Sequence, residues 1–465
     1  MSATFEARLA RQLSLSAAKM LGAVSRTDLV KERVGFHRLI RPTKGSILAS
    51  PVMAAYDPDP DYFFHWLRDS AVVVDALRLL VEMGEVSRET GAAHFADFLA
   101  FSLSISSRDG EDFLTEAGDY RAAVEPHFKQ FLRSREEIAA IAGDDALGEP
   151  RFDPDGALDI LKWSRPQHDG PALRVLAVLR FCASLPPDGE AGAAAAELLR
   201  RDLAFTLAQR ARPSFDIWEE ELGRHYYTAL AQAEALRQGG LFLRNCGEAT
   251  AGAALVEAAG EIEAGLDAFW SAEKGFMLSR LNGDAARELD IAVILAAIHA
   301  GRPQGPHSVA DPRLVSTLLA LEALFSQDYA LNASGAGAIA PAMGRYRGDA
   351  YYSGGAYFFS TFGAAEFYFR AAEAAAGGFV EPAAWREATM NRAQGLASAL
   401  FSRGDAFLAT ALASAAPDGD LSEQFDQRTG AQTSAKSLAW SHAAFVSACA
   451  ARRKAKAAGA AGAGP

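Results

Sequence analysis

The 465-residue chain is poor in what several large classes of function require. It has three cysteines, Cys182, Cys246 and Cys449, and no CxxC pair. Each lies in a run with helical spacing, so three buried thiols are expected and a disulfide framework is not. The nine histidines form no HExxH or other clustered ligand pattern, so no metal is expected. No GxxxxGK[ST] loop occurs, and no GxGxxG follows a strand, which leaves nucleotide cofactors without support. Basic charge is in deficit, 46 Lys and Arg against 58 Asp and Glu. A nucleic acid partner needs a basic footprint and is not expected. No run of 18 apolar residues is present, so no membrane-spanning helix is expected. The first 25 residues lack the uninterrupted apolar core of a secretory signal. Instead Phe5, Leu9, Leu13, Ala17 and Leu21 recur every four residues, the pattern of an amphipathic helix. A cytoplasmic monomer without cofactor is the expectation.

Half the residues are apolar, enough for a large core. Helical periodicity dominates, in about a dozen segments that include 70–85, 90–106, 169–185, 191–211, 224–240, 252–270, 286–301, 311–326, 354–378, 383–402 and 433–454. Asp69 is placed to cap the first of these. Several segments are apolar on most faces, which demands burial on all sides. Inner helices wrapped by outer ones satisfy that demand. No fixed-period repeat and no linker is visible, so a single domain is expected over 1–453, followed by a low-complexity tail, 454–465.

The non-helical stretches, 51–69, 108–169, 212–222, 327–352 and 404–433, are long and rich in aromatic and charged residues. Long loops on a helical scaffold carry function when they are not disordered, and these are too aromatic for disorder. Tyr62, Trp66, Arg68 and Asp69 fall just ahead of one helix, and Trp163, Arg165, Gln167 and Asp169 ahead of another. "FDIWEEELGR" places Trp218 before Glu219, Glu220 and Glu221. Arg345, Asp349, Tyr351 and Tyr352 precede a further helix, as do Glu423 and Gln424. Aromatic faces suit the C–H surface of a sugar, and Arg with Asp supplies donors and acceptors for its hydroxyls. Five such loops, each leading into a helix, imply one polar, aromatic face.

The segments "WLRDSA", "WSRPQHDGPALR", "FDIWEE", "GRYRGDAYY" and "LSEQFD" resemble, in order, the motifs of the glucoamylases, glycoside hydrolase family 15. The resemblance spans residues 62 to 440. It implies an all-α fold, an (α/α)6 toroid of inner and outer helices. It also implies an inverting exo-α-glucosidase that releases β-glucose from the non-reducing ends of α-glucans or malto-oligosaccharides. By that resemblance Glu219 is the general acid and Glu423 the general base. Trp66, Arg68 and Asp69 grip the terminal glucose with Tyr62 and Trp218 alongside, and Arg345 adds a further contact. Trp163 stands beside the acid, and Glu220 serves the next sugar. Two positions depart from the family pattern. Gly348 replaces an acidic residue, and Tyr357 replaces a tryptophan, which leaves preference among linkages and chain lengths open.

The three adjacent glutamates thus divide by role. Inversion needs two carboxyl groups roughly 6.5–9.5 Å apart, on opposite sides of the sugar. Glu220 and Glu221 are too near Glu219 in sequence to be its distant partner, whereas Glu423 is not. Glu221 reads as a first-turn carboxylate favoured by a helix dipole. Three other readings remain at this point. Two are a trehalase and an α-1,6-preferring enzyme of the same family. The third is a non-catalytic glucan-binding module, which would not need an acid–base pair.

Overall fold

The computed structural model describes residues 3–380, 382–385 and 395–461. Fourteen α-helices occur among them. They are α1 (Ala3–Leu21), α2 (Leu67–Glu82), α3 (Arg88–Ser106), α4 (Gly110–Ala117), α5 (Arg135–Ala139), α6 (Asp169–Ser184) and α7 (Gly189–Gln209). Next come α8 (Tyr226–Asn245), α9 (Ala249–Leu266), α10 (Ala292–Ala300), α11 (Pro312–Asp328), α12 (Phe358–Ala376), α13 (Leu396–Ala413) and α14 (Ala439–Ala457). The strands are two to four residues long. Two compact units divide the chain: an N-terminal unit, Met20–Leu222 with Gln232–Gly260, and a C-terminal unit, Met1–Lys19 with Gly223–Ala231 and Glu261–Pro465.

In the N-terminal unit α2 packs along α6, while α3 and α7 pack on them from outside. The inner helix α6 buries every residue from Asp169 to Val178, as an all-round apolar helix must. Phe95 of α3 and Phe181 of α6 stack with centroids 3.9 Å apart. The N-termini of α2 and α6 meet at Gly170. A Cβ there would stand 2.7 Å from that of Leu67, so only glycine permits the approach. Helix α2 leaves directly from a strand, because His65–Trp66 pairs antiparallel with Arg151–Phe152. Its N-cap is therefore Trp66, and the expected cap, Asp69, lies inside the first turn. The expected helix end at Gly239 and Gly240 is passed, because α8 continues to Asn245. Those glycines let Leu203 and the backbone of Gly252 close in.

The long stretch 108–169, expected to be irregular, contains α4 and α5. Their short lengths hid a helical period. Ser134 and Glu137 form a reciprocal capping box at the start of α5. Phe36, Phe101, Ile105, Leu114, Ile138 and Phe152 pack into one buried cluster beneath this stretch.

In the C-terminal unit α12 packs against α10, α13 and α14. Gly404 and Asp405 read as the start of a loop, yet α13 runs on to Ala413. The ring of Phe369 lies where a Cβ of Gly404 would be, at 2.6 Å. Asp405 is paired with Arg452 at 2.6 Å. The expected amphipathic first helix is present as α1, with Leu9, Leu13 and Ala17 buried. The expected helix over 383–402 falls partly on residues 386–394, outside the described ones. The Ala- and Gly-rich tail is helical to Ala457, and residues 462–465 also lie outside the described ones.

Of the three thiols expected to be buried, only Cys449 is. Cys182 is half-buried, which pushes its thiol up to about 11. Cys246 is exposed because it follows the last turn of α8. Among the described residues no helix is long and apolar enough to cross a membrane, and no three His, Cys, Asp or Glu side chains could hold a metal ion.

Candidate active site

The segment 216–221 is a closed turn and not the first turn of a helix. The Asp216 N–H bonds the carbonyl of Glu221 at 3.1 Å, and the Glu219 N–H bonds that of Asp216 at 3.0 Å. The Asp216 carboxylate accepts the Glu220 N–H at 2.9 Å. Glu221 precedes the strand Leu222–His225, so the expected dipole contact is absent; α8 starts only at Tyr226. Glu219 sits in the left-handed region, φ +65°. A non-glycine residue there is strained and persists only where its surroundings fix it. Ser164 does so in part, donating its hydroxyl to the Glu219 carbonyl.

The side chain of Glu219 is the focus of the N-terminal unit. Its Oε1 accepts the Trp66 indole N–H at 2.9 Å, the Arg68 guanidinium at 3.1 Å and the Gln167 amide at 2.9 Å. Its Oε2 accepts the Trp163 indole N–H. Four donors from two separate stretches of chain therefore converge on one carboxyl. Gln167 is oriented without ambiguity. Its Nε2 also donates to the Ser164 carbonyl at 3.1 Å, while its Oε1 accepts from Arg68 at 3.0 Å.

Arg68 stands among three carboxylates. It donates to Asp169 at 2.9 Å and to Glu219, and its Nε lies 4.0 Å from Asp69. The close crossing of α2 and α6 at Gly170 brings Arg68 and Asp169 together. Burial, opposed by Arg68 and reinforced by Glu219 and Asp169, pushes the Asp69 carboxyl up to about 6. Tyr62 packs on Trp66, centroids 5.2 Å apart. Trp218 is half-buried and Glu220 exposed, both beside Glu219 in the turn.

The C-terminal unit holds the second group of expected residues. The strands Ala356–Tyr357, Gln424–Phe425 and Gln432–Thr433 form one antiparallel ladder that puts Tyr357 opposite Gln424 and Gln424 opposite Thr433. Glu423 lies just before the middle strand. Its N–H bonds the Ala435 carbonyl at 2.7 Å, and its own carbonyl accepts the Phe358 N–H at 3.2 Å. The Ser434 hydroxyl donates to Glu423 Oε2 at 2.5 Å. Gln424 donates to the Tyr357 hydroxyl at 2.7 Å. Arg345 is held by Asp349 through two bonds, 2.7 and 2.5 Å, and its guanidinium lies 5.2–5.4 Å from the rings of Tyr346, Tyr351 and Tyr357.

Trp66, Arg68 and Trp163 thus meet at Glu219, and Glu423 and Arg345 belong to the other unit. Sequence reasoning passed over Ser164, Asp216, Ser434 and Arg151. Small polar residues carry no pattern of their own, and Arg151 lies in "GEPRFD", away from the aromatic motifs.

A model of the family described as glycosyl hydrolases family 15 matches residues 37–450. The chain is similar to "Glucoamylase 1" of Rhizopus oryzae, 26% identical over 433 residues that cover 86% of this chain and 66% of that protein. It is also similar to "Probable glucoamylase" of Schizosaccharomyces pombe, 26% identical, covering 87% and 84%. In structure it resembles the family 15 glucoamylase from Hypocrea jecorina, TM-score 0.78 at 24% identity, over 97% of this chain and 72% of that one. A glucoamylase from Saccharomycopsis fibuligera gives a TM-score of 0.76 at 23% identity, covering 97% and 96%. The likeness shows the fold, and the expected all-α, (α/α)6 class holds.

Proposed function

The chain belongs to family 15 of the glycosyl hydrolases, and we propose that it is an inverting, exo-acting α-glucosidase of the glucoamylase kind. Its substrates are α-glucans or malto-oligosaccharides, and it releases β-glucose from their non-reducing ends. What supports this reading most is the cluster around Glu219, where a carboxyl on a strained turn meets two indoles, an amide and the Arg68 guanidinium.

Glu219 protonates the glycosidic oxygen as the bond to the anomeric carbon breaks. Glu423 takes a proton from the water that attacks the opposite face. Positive charge develops on the sugar ring during this step. The carboxylate of Glu423 stabilises it, while Arg68 and Asp69 grip the hydroxyls of the terminal ring and Asp169 holds Arg68 in place at 2.9 Å. The Ser434 hydroxyl donates to Glu423 Oε2 and so fixes the orientation of that carboxylate.

Proton NMR during the first minutes of maltoheptaose hydrolysis tests the reading, with maltose, isomaltose and trehalose run in parallel. Glucose with the β-anomeric signal appearing first, from the maltodextrins, is expected. Initial α-glucose, or a glucosyl ester trapped on Glu423, would remove the role given to that residue. Turnover of trehalose alone would move the substrate class.

A further inference from the structure

A column of alternating cations and rings runs beneath the acid's neighbours. Arg33 and Arg151 each place their guanidinium carbon on the ring of Phe64, 3.9 and 4.0 Å from its centroid. Two cations so close to one ring occupy its opposite faces. Arg151 also lies 3.6 Å from the Trp163 centroid and 4.9 Å from that of Trp66. It is almost wholly buried, at 1% exposure. As a strand residue paired with Trp66, its backbone is fixed, and its Nε donates to Asp159 at 2.8 Å. Asp159 is itself held by Arg165 at 3.0 Å and by the Leu161 N–H at 2.9 Å. Burial would raise the Asp159 carboxyl, but Arg151 and Arg165 hold it down at about 2, so the clamp stays charged at any working pH.

Trp163 is the least anchored member of the cluster around Glu219. It lies in a stretch without regular structure and is 39% exposed. Apart from its N–H bond to Glu219, the indole is held by what its ring packs against. Trp66 meets it edge-on at 6.2 Å, and the Arg151 plane lies against it. A planar guanidinium suits such stacking; a lysine ammonium, a point charge on a flexible stem, does not.

We propose that Arg151 is a positioning residue for the reaction: stacked between Phe64 and Trp163, it holds the Trp163 indole so that its N–H meets Glu219 Oε2. The inference rests on the reading of Glu219 as the acid. Arg151 touches neither Glu219 nor the substrate and acts through Trp163, so its loss changes the chemical step more than binding.

The test is a double-mutant cycle on maltoheptaose with Arg151→Lys, Trp163→Phe and the pair combined, with Glu219→Gln as control. Arg151→Lys keeps the charge facing Asp159 and loses the plane. It is expected to lower kcat about 10-fold, within the cost of a displaced catalytic group, and to leave KM within about threefold. Acrylamide should quench the Trp163 fluorescence, isolated by subtracting the Trp163→Phe counterpart, more readily than in the parent. In the Trp163→Phe background the same change should cost less than about twofold. Should Arg151→Lys fail to fold, Arg151→Gln, planar and able to donate to Asp159, carries the same comparison. An equal loss of kcat in both backgrounds, or parental kcat and quenching in Arg151→Lys, overturns the inference. If Glu219→Gln turns over normally, the acid assignment itself fails. If it is inactive while the cycle shows no coupling, the Arg151 inference alone fails.

Discussion

Glu219 and Glu423 are both buried or nearly buried glutamates beside short strands, yet they are held by different means. Glu219 is fixed through its side chain, by Trp66, Arg68, Trp163 and Gln167, while its backbone is strained. Glu423 is fixed through its backbone, by the ladder bonds to Ala435 and Phe358, with Ser434 donating to its carboxyl. A carboxyl held by converging side chains depends on the chemistry of residues far away in sequence. One held by strand register depends on hydrogen bonds that any residue could supply. Substitutions should therefore act differently on the two units, and their sizes can be ranked.

Arg68→Ala should have the largest effect. It removes the cation among Asp69, Asp169 and Glu219, and it leaves buried carboxylates uncompensated. Breaking a buried pair from one side costs about 3–5 kcal/mol, which urea unfolding would register. On maltose and maltoheptaose alike, kcat/KM should fall by at least roughly 100-fold, as when charged hydrogen bonds are lost. A loss confined to the longer substrate would place Arg68 away from the terminal ring.

Asp69→Asn separates stability from activity in the same cluster. The folded-state carboxyl is raised to about 6, mainly by burial, so the native state holds a proton that the unfolded chain has released. Wild-type stability therefore falls as pH rises from about 4 to about 6, and the cost persists above that range. The amide carries no such cost. The variant should be more stable by about 1–3 kcal/mol at pH 7, with the difference vanishing below about pH 4, while turnover drops. Unfolding curves at pH 4, 5, 6 and 7 would check the slope. A stability difference independent of pH would show that Asp69 is ionised at no cost.

The sequence made the helical class and the loops that carry the candidate site residues legible because both rest on strong local signals. Apolar period marks α2, α6 and α12, and aromatic–charged motifs mark the loops ahead of helices. What it hid is geometric. Gly404 and the pair Gly239 and Gly240 read as helix ends, because sequence does not reveal that Phe369, Leu203 and Gly252 occupy the space a side chain would need. Asp69 read as a cap because two-residue strands such as His65–Trp66 have no period to detect. Glu221 read as a first-turn carboxylate because the turn that holds the three glutamates is closed by Asp216 and Ser164, one near and one distant. Arg151 escaped notice because its partners are faces of rings, which leave no spacing in the chain.

Ser434→Ala tests the other unit. It deletes a hydrogen bond to a carboxylate, a bond worth about 1.5–3 kcal/mol, so kcat should fall roughly 10-fold or somewhat more. Stability should hardly move, because the backbone ladder remains. Ser434 has φ +61°, so Ser434→Gly should match Ser434→Ala in kcat while melting higher. If Ser434→Ala instead melts far lower, the hydroxyl supports the ladder and Glu423 is not held by backbone register.

Gln167→Ala should have the smallest effect, and it bears on the comparison most directly. The amide is one of three donors on Glu219 Oε1, and Trp66 and Arg68 remain on that oxygen when it goes. Arg68 loses a partner in Gln167 Oε1 but keeps Asp169 on the same nitrogen at 2.9 Å. The Ser164 carbonyl loses a donor, while its hydroxyl still bonds the Glu219 carbonyl. Each group that Gln167 touches is therefore held by a second contact or lies where water can replace the first. The net loss is that of one ordinary hydrogen bond, about 0.5–1.5 kcal/mol, so kcat should fall by roughly threefold with KM unchanged. Steady-state kinetics on maltose would resolve this from the tenfold effect expected at Ser434. A loss beyond roughly 100-fold would mean that Gln167 meets the substrate itself, and that the donors around Glu219 do not back one another up.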